Sequence, residues 1–113
     1  MNVSALNPQP VDRLRFKHFD LMLVPTDSGC YVLTNFEGLI LYIGMATSLK
    51  GRFLSHLEST EKTSPTVYGL ATWFWYLRYD KGNLPKLERT WLNEHLSLHG
   101  CLPVLNRVSS PIV

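Results

Sequence analysis

The spacing of apolar positions changes period several times along the chain, and each change predicts an element. Residues 1–10 are mostly polar, carry Pro8 and Pro10, and predict a tail that is loose or orders on contact. Between 11 and 24, Leu14, Phe16, Phe19, Leu21 and Leu23 fit neither the helical nor the alternating period; the stretch reads as a short helix followed by an extended piece. Pro25-Thr26-Asp27-Ser28-Gly29 has the residue types of a turn. Runs 30–34 and 39–43 are β-rich and apolar at nearly every position, and Asn35-Phe36-Glu37-Gly38 joins them. They predict a β-hairpin covered on both faces, with Gly38 supplying a positive φ at its turn.

After Gly44 the period lengthens. Ser48 can cap a helix, and Leu49, Phe53, Leu54 and Leu57 recur at helical spacing to about Glu58. Residues 59–70 are polar, contain Pro65 and Gly69, and predict a loop. The aromatic run 72–79 predicts a third strand, and Asp80-Lys81-Gly82-Asn83 a turn. A helix follows over 84–99, with Pro85 in its first turn and Gly100 just past its end. The tail 101–113, with Pro103 and Pro111, reads as irregular. The pattern predicts an α/β (α+β) fold: a small three-stranded, mainly antiparallel sheet flanked by helices, in the order β-β-α-β-α after an N-terminal extension.

A chain of 113 residues with 45% hydrophobic and 18% charged residues predicts one folded domain and excludes disorder over most of its length. It has neither a membrane-spanning apolar run nor a signal-peptide pattern at its start, so the expectation is a cytoplasmic, nucleoid or nuclear protein rather than a secreted one. A net charge of +2 does not separate a nucleic-acid binder from any other globular domain. Cys30 and Cys101 have no zinc-ligand spacing and read as two reduced, small, buried side chains.

Polar residues break the packing pattern in three places. Glu88 shares a helix face with Leu84, Trp91 and Leu92, where a carboxylate is costly unless paired or holding a metal ion. Arg52 and His56 lie four apart on one helix face, and a guanidinium there offers several donors to a phosphate. Tyr31 and Tyr42 sit in otherwise aliphatic strands, where a phenol hydroxyl needs a partner. Each also has an ordinary structural explanation when taken alone. Trp73, Phe74, Trp75 and Tyr76 could stack on unpaired bases, although core packing is the better reading for a strand of a small sheet. No metal spacing joins His18, His95 and His99.

Taken together, these residues resemble a known family. Gly29-Cys30-Tyr31 and Tyr42-Ile43-Gly44 are similar to the paired signature of the GIY-YIG nuclease superfamily, with Cys in place of the first Ile. Arg52 stands eight residues after Gly44, where the family carries an arginine. His56 matches the histidine of structure-specific resolvase and restriction-enzyme branches, Glu88 the metal-binding glutamate, and Asn106 in Pro103-Val104-Leu105-Asn106 the closing asparagine. The resemblance covers about residues 28–107. Met45 departs from it, because many members, the excision-repair ones included, have a lysine there; this sets the chain beside the His-bearing branches.

The resemblance implies a nuclease domain over 28–113, with 1–27 as an N-terminal extension packing on the core. It implies hydrolysis of DNA phosphodiesters with low or structure-based sequence specificity. Glu88 would hold a single Mg²⁺ or Mn²⁺ ion, since magnesium takes few carboxylates and keeps several waters. Arg52 would clamp a phosphate oxygen, and Tyr31 would take the proton of the attacking water with help from His56. Tyr42 would orient the water or the phosphate, the two tyrosines being interchangeable in these roles. Asn106 would hold a tyrosine or Glu88 in place. Lys50, Lys86, Arg89, Arg78 and Arg107 are candidate backbone contacts. No second DNA-binding domain is visible, so targeting would come from a homodimer or a separate protein. The rival readings are an inactive nucleic-acid-binding module of the same fold and an RNA nuclease.

Overall fold

The structure, a computed structural model, describes residues 2–108, with side chains through Asn106. The expectations for the side chain of Arg107 and for Pro111 lie outside the described residues. Four strands, β1 (Asp12–Arg15), β2 (Gly29–Thr34), β3 (Ile40–Ala46) and β4 (Trp73–Arg78), form one antiparallel sheet in the order β1-β4-β2-β3. Helices α1 (Leu49–Leu57), α2 (Thr60–Thr63), α3 (Leu84–His99) and α4 (Val104–Val108) pack around it.

The hairpin forms as expected. Strand β2 lies between β3 and β4 and all six of its residues are buried, which explains its unbroken apolar run. Gly38 takes φ 96° at the turn. Ser48 caps α1 by accepting from the Gly51 amide at 3.2 Å. Gly100 ends α3 in the left-handed region, at φ 73°.

Four expectations change. The sheet has four strands rather than three, because β1 pairs along the outer side of β4. The stretch 11–24 runs strand first, then a 3-10 helix at His18–Leu23, the reverse of the expected order. The reason lies in pairing: β4 needs a partner for its second edge, and Asp20 closes the turn after β1. The Asp20 carboxylate accepts from the Arg15 backbone, Nε and guanidinium at 3.0, 3.2 and 2.7 Å. Within 59–70, Ser59 caps the short helix α2. Within the tail, Pro103 starts α4.

The sheet buries two different faces. On one, Cys30, Val32 and Ile43 pack against Leu84, Leu87 and Trp91 of α3. Val3 and Leu6 join that cluster, so the N-terminal segment is ordered by contact. On the other, Tyr31, Leu33, Phe74 and Tyr76 pack against Leu49 and Phe53 of α1, with Phe16 and Val24 closing the side. Both cysteines are free thiols; Cys30 is buried and Cys101 half-buried.

Candidate active site

The two tripeptides come together through strand register. Tyr31 pairs with Gly44, and Leu33 with Tyr42, so both phenols rise from the α1 face of adjacent strands as diagonal neighbours. The pairing explains the second glycine. A Cβ on Gly44 would meet Tyr31 Oη at 2.5 Å and Cζ at 2.6 Å, so only glycine leaves room for the phenol. Likewise, a Cβ on Gly29 would run into the Leu77 carbonyl of β4. Phe74 stacks on the Tyr31 ring at 5.0 Å and an interplanar angle of 11°, which fixes that ring from the side.

His56 reaches into this pair from the last turn of α1. Its Nε2 lies 2.6 Å from Tyr31 Oη, and its ring meets Tyr42 edge-on at 5.2 Å. A helix C-terminus ordinarily favours a charged histidine. Here burial, then Lys62 and then Arg52, push His56 down to about 4, so the imidazole is neutral at physiological pH. Burial, with the nearby Tyr42, also holds the Tyr31 phenol well above its ordinary value. Each group is thus kept uncharged, and one short hydrogen bond satisfies both.

Arg52 is exposed on α1 and lines a cavity of about 260 Å³ with Met45, Ala46, Thr47, Leu84 and Pro85. Glu88 is half-buried on α3. Burial raises its carboxyl above the ordinary range while the positive charge of Arg52 pulls it down, although Glu88 itself does not line the cavity beside Arg52. Burial and then the same carboxylate together push the Cys30 thiol up to about 12, and the carboxylate adds to the upward push on Tyr31. Among the described residues, neither Arg52 nor Glu88 makes a direct ion pair.

Asn106 does something the sequence did not suggest. Its amide accepts from the Ile43 N–H and donates to the Ile43 carbonyl, both at 2.9 Å. β3 is an edge strand, and this side chain takes the place of a neighbouring strand at the residue between Tyr42 and Gly44. The expected hold on a tyrosine is therefore exerted through the backbone that carries it.

The other candidates are dispersed. Lys50 is half-buried, with its backbone N–H bonded to Pro25 at 2.9 Å, and Arg89 is exposed. Lys86 lines a separate cavity of about 290 Å³ with Pro8, Tyr79, Asn83, Leu87 and Thr90. Phe74 and Tyr76 are core, while Trp73 and Trp75 are half-buried, their indole N–H groups donating to Phe36 O and Thr34 Oγ1. His95 is buried and donates to the Cys101 carbonyl at 2.7 Å. Lys62 was missed. It is only 6% exposed, with its Nζ 4.7 Å from the Tyr42 ring centroid and 2.9 Å from Glu61. Nothing in a polar stretch containing Pro65 signals a buried ammonium, because the Tyr42 ring that covers it comes from elsewhere in the chain.

Comparison with known proteins agrees with this geometry. The model of the GIY-YIG catalytic domain matches residues 27–100. UvrABC system protein C of Syntrophomonas wolfei is 36% identical over 53 residues, 47% of this chain and 9% of that protein. The Prochlorococcus marinus protein of the same name is 34% identical over 62 residues, 55% of this chain and 10% of its own length. That of Lactiplantibacillus plantarum is 32% identical over 77 residues, 66% of this chain and 13% of its own. The chain thus spans about one tenth of the length of the curated relatives it matches. These relatives are UvrABC system protein C rather than members of the His-bearing branches expected from Met45 and His56; what the comparisons establish is the GIY-YIG catalytic domain. Among the described residues no helix is long and apolar enough to cross a membrane.

Proposed function

The chain belongs to the GIY-YIG family, and on that premise we propose that it is a divalent-metal-dependent endonuclease that hydrolyses phosphodiester bonds in DNA. One observation carries the reading. The phenols of both motifs meet a buried, neutral imidazole, and an exposed guanidinium from the same helix, with no direct ion pair among the described residues, acts electrostatically on the half-buried carboxylate of Glu88.

Arg52, exposed at the cavity wall, clamps a non-bridging phosphate oxygen. Tyr31 has no exposed surface, whereas Tyr42 is half-buried. Contact with the attacking water therefore falls to Tyr42, and Tyr31 becomes the link behind it, an exchange of the roles expected from sequence. The Tyr42 ring lies beside that of Tyr31, centroids 6.1 Å apart, and the Tyr31 hydroxyl bonds to His56. As water attacks phosphorus, the P–O bond to the leaving oxygen breaks and that oxygen departs with the electron pair, taking a proton from solvent; the water's proton passes to Tyr42 Oη, the Tyr42 proton to Tyr31 Oη, and the Tyr31 proton to His56 Nε2, leaving an imidazolium. Neither phenol needs to ionise on its own, which burial of Tyr31 would oppose.

Glu88 is the residue that would hold the metal. Its half-buried carboxylate lacks a direct ion pair and is a hard oxygen donor, which suits Mg²⁺ or Mn²⁺. Among the described residues no group of three or more His, Cys, Asp or Glu converges on a metal position, so water and phosphate oxygens would supply the remaining ligands. When bound, such an ion neutralises charge on the scissile phosphate and the leaving oxygen. Asn106 positions the Tyr42–Gly44 backbone, and Lys50 and Arg89 contribute weak backbone contacts.

Incubation with plasmid, single-stranded and branched DNA and with RNA, with and without Mg²⁺, tests this. Arg52→Ala and Glu88→Ala are each expected to slow cleavage by about 10²–10³-fold, the usual effect of removing one charge-stabilising group. Cleavage surviving both substitutions would overturn the reading. Binding without cleavage by the unsubstituted chain favours the inactive module, and preference for RNA the RNA nuclease.

A further inference from the structure

We propose that Lys62 is a positioning residue of this site: its buried ammonium, braced by Glu61 against the face of Tyr42, supplies a fixed positive charge behind the phenol–imidazole cluster that keeps His56 uncharged and so able to accept a proton from Tyr31. The catalytic meaning of the proposal rests on the nuclease reading; the charge coupling does not.

A lysine is almost never fully buried without compensation. Lys62 is 6% exposed on a helix of only four residues, and two contacts compensate it: Glu61 at 2.9 Å and the Tyr42 ring at 4.7 Å. Glu61 keeps 42% of its side chain in water, so the local charge is not cancelled within the site. Tyr42 in turn touches His56 edge-on at 5.2 Å, which places the ammonium one ring away from the imidazole.

The groups acting on His56 come from four elements: Tyr31 from β2, Tyr42 from β3, Arg52 from its own helix, and Lys62 and Glu61 from α2. The cations oppose an imidazolium and Glu61 favours one. A protonated His56 would present Nε2–H to Tyr31 and could take no proton from it. The cation absent at Met45 is thereby replaced from another element, over Tyr42 rather than beside the second motif.

NMR titration of the His56 imidazole in the intact chain tests the coupling with no cleavage assay. Lys62→Met should raise the His56 midpoint by about one unit, the scale of one nearby charge. Lys62→Arg should restore it, and Glu61→Gln should shift it the opposite way. In a cleavage assay the acid limb of the pH–rate profile should move up in Lys62→Met and return in Lys62→Arg. Unchanged midpoints, or shifts of the same sign in Lys62→Met and Glu61→Gln, overturn the proposal. If Lys62→Met does not fold, the direction of the Glu61→Gln shift decides. A chain that cuts nothing yet shows opposed shifts removes the nuclease reading and leaves the coupling standing.

Discussion

The two faces of strand β2 are equally buried and differ in what they bury. Towards α3, Cys30 and Val32 meet Leu84, Leu87 and Trp91, and the two side-chain donors among them are satisfied by backbone carbonyls, Trp91 Nε1 by Pro8 at 3.0 Å and the Cys30 thiol by Leu84 at 3.8 Å. Towards α1, alternate residues of the same strand put a phenol beside an imidazole and, one ring further, an ammonium. Apolar packing would stabilise both faces more cheaply, since burying polar groups costs free energy unless every one is paired. The described residues leave no buried side-chain donor or acceptor unpaired, so the polar face is complete rather than defective. Both faces bury an apolar cluster, and only the α1 face adds the candidate site to it, so a substitution should reveal which part it touches by what it changes.

The largest effect should come from the apolar face. Trp91 is 0% exposed, and Trp91→Ala should cost about 3–5 kcal/mol of stability, read by urea denaturation; for a domain this small that approaches global unfolding. A cost under about 1 kcal/mol would contradict the division.

Next in size is a pH effect confined to the polar face. His56 is held down to about 4 in the folded chain, against about 6.5 for an ordinary histidine. Above 6.5 both folded and unfolded chains carry it neutral, and its contribution to stability is complete. As pH falls from 6.5 to 4 the unfolded state takes up the proton first, so stability is lost across that window, with a ceiling on the order of 3 kcal/mol. His56→Gln should flatten that part of the stability–pH curve.

The smallest effect tests the register. Gly44→Ala should cost about 1–3 kcal/mol through overpacking on Tyr31, and should weaken activity by displacing the phenol. Gly100→Ala, where φ is +73° and nothing lies within 4 Å of the added Cβ, should cost about 1–2 kcal/mol from the backbone and leave activity unchanged. Equal losses of activity in both would show that Gly44 acts through stability alone.

Much of this was legible without coordinates where the signal is local. Capping by Ser48, the period of α1 and α3, and the glycine after His99 depend on residues within a few positions of one another. The order of strand and helix over 11–24 was misread because Asp12-Arg13-Leu14-Arg15 shows no alternation. Three of those four residues are exposed, and only pairing with β4 makes them a strand.

The sequence by itself determined the identity and order of the candidate site residues, and the hairpin and helices that carry them, because periodicity, caps and turns are written in neighbouring residues. Tertiary structure alone decided which tyrosine is sealed, how Asn106 ties off the edge of β3, and that a lysine from a short helix lies under Tyr42. Those facts depend on solvent exclusion and charge between groups tens of residues apart, and no spacing along the chain encodes how closely packing will bring them.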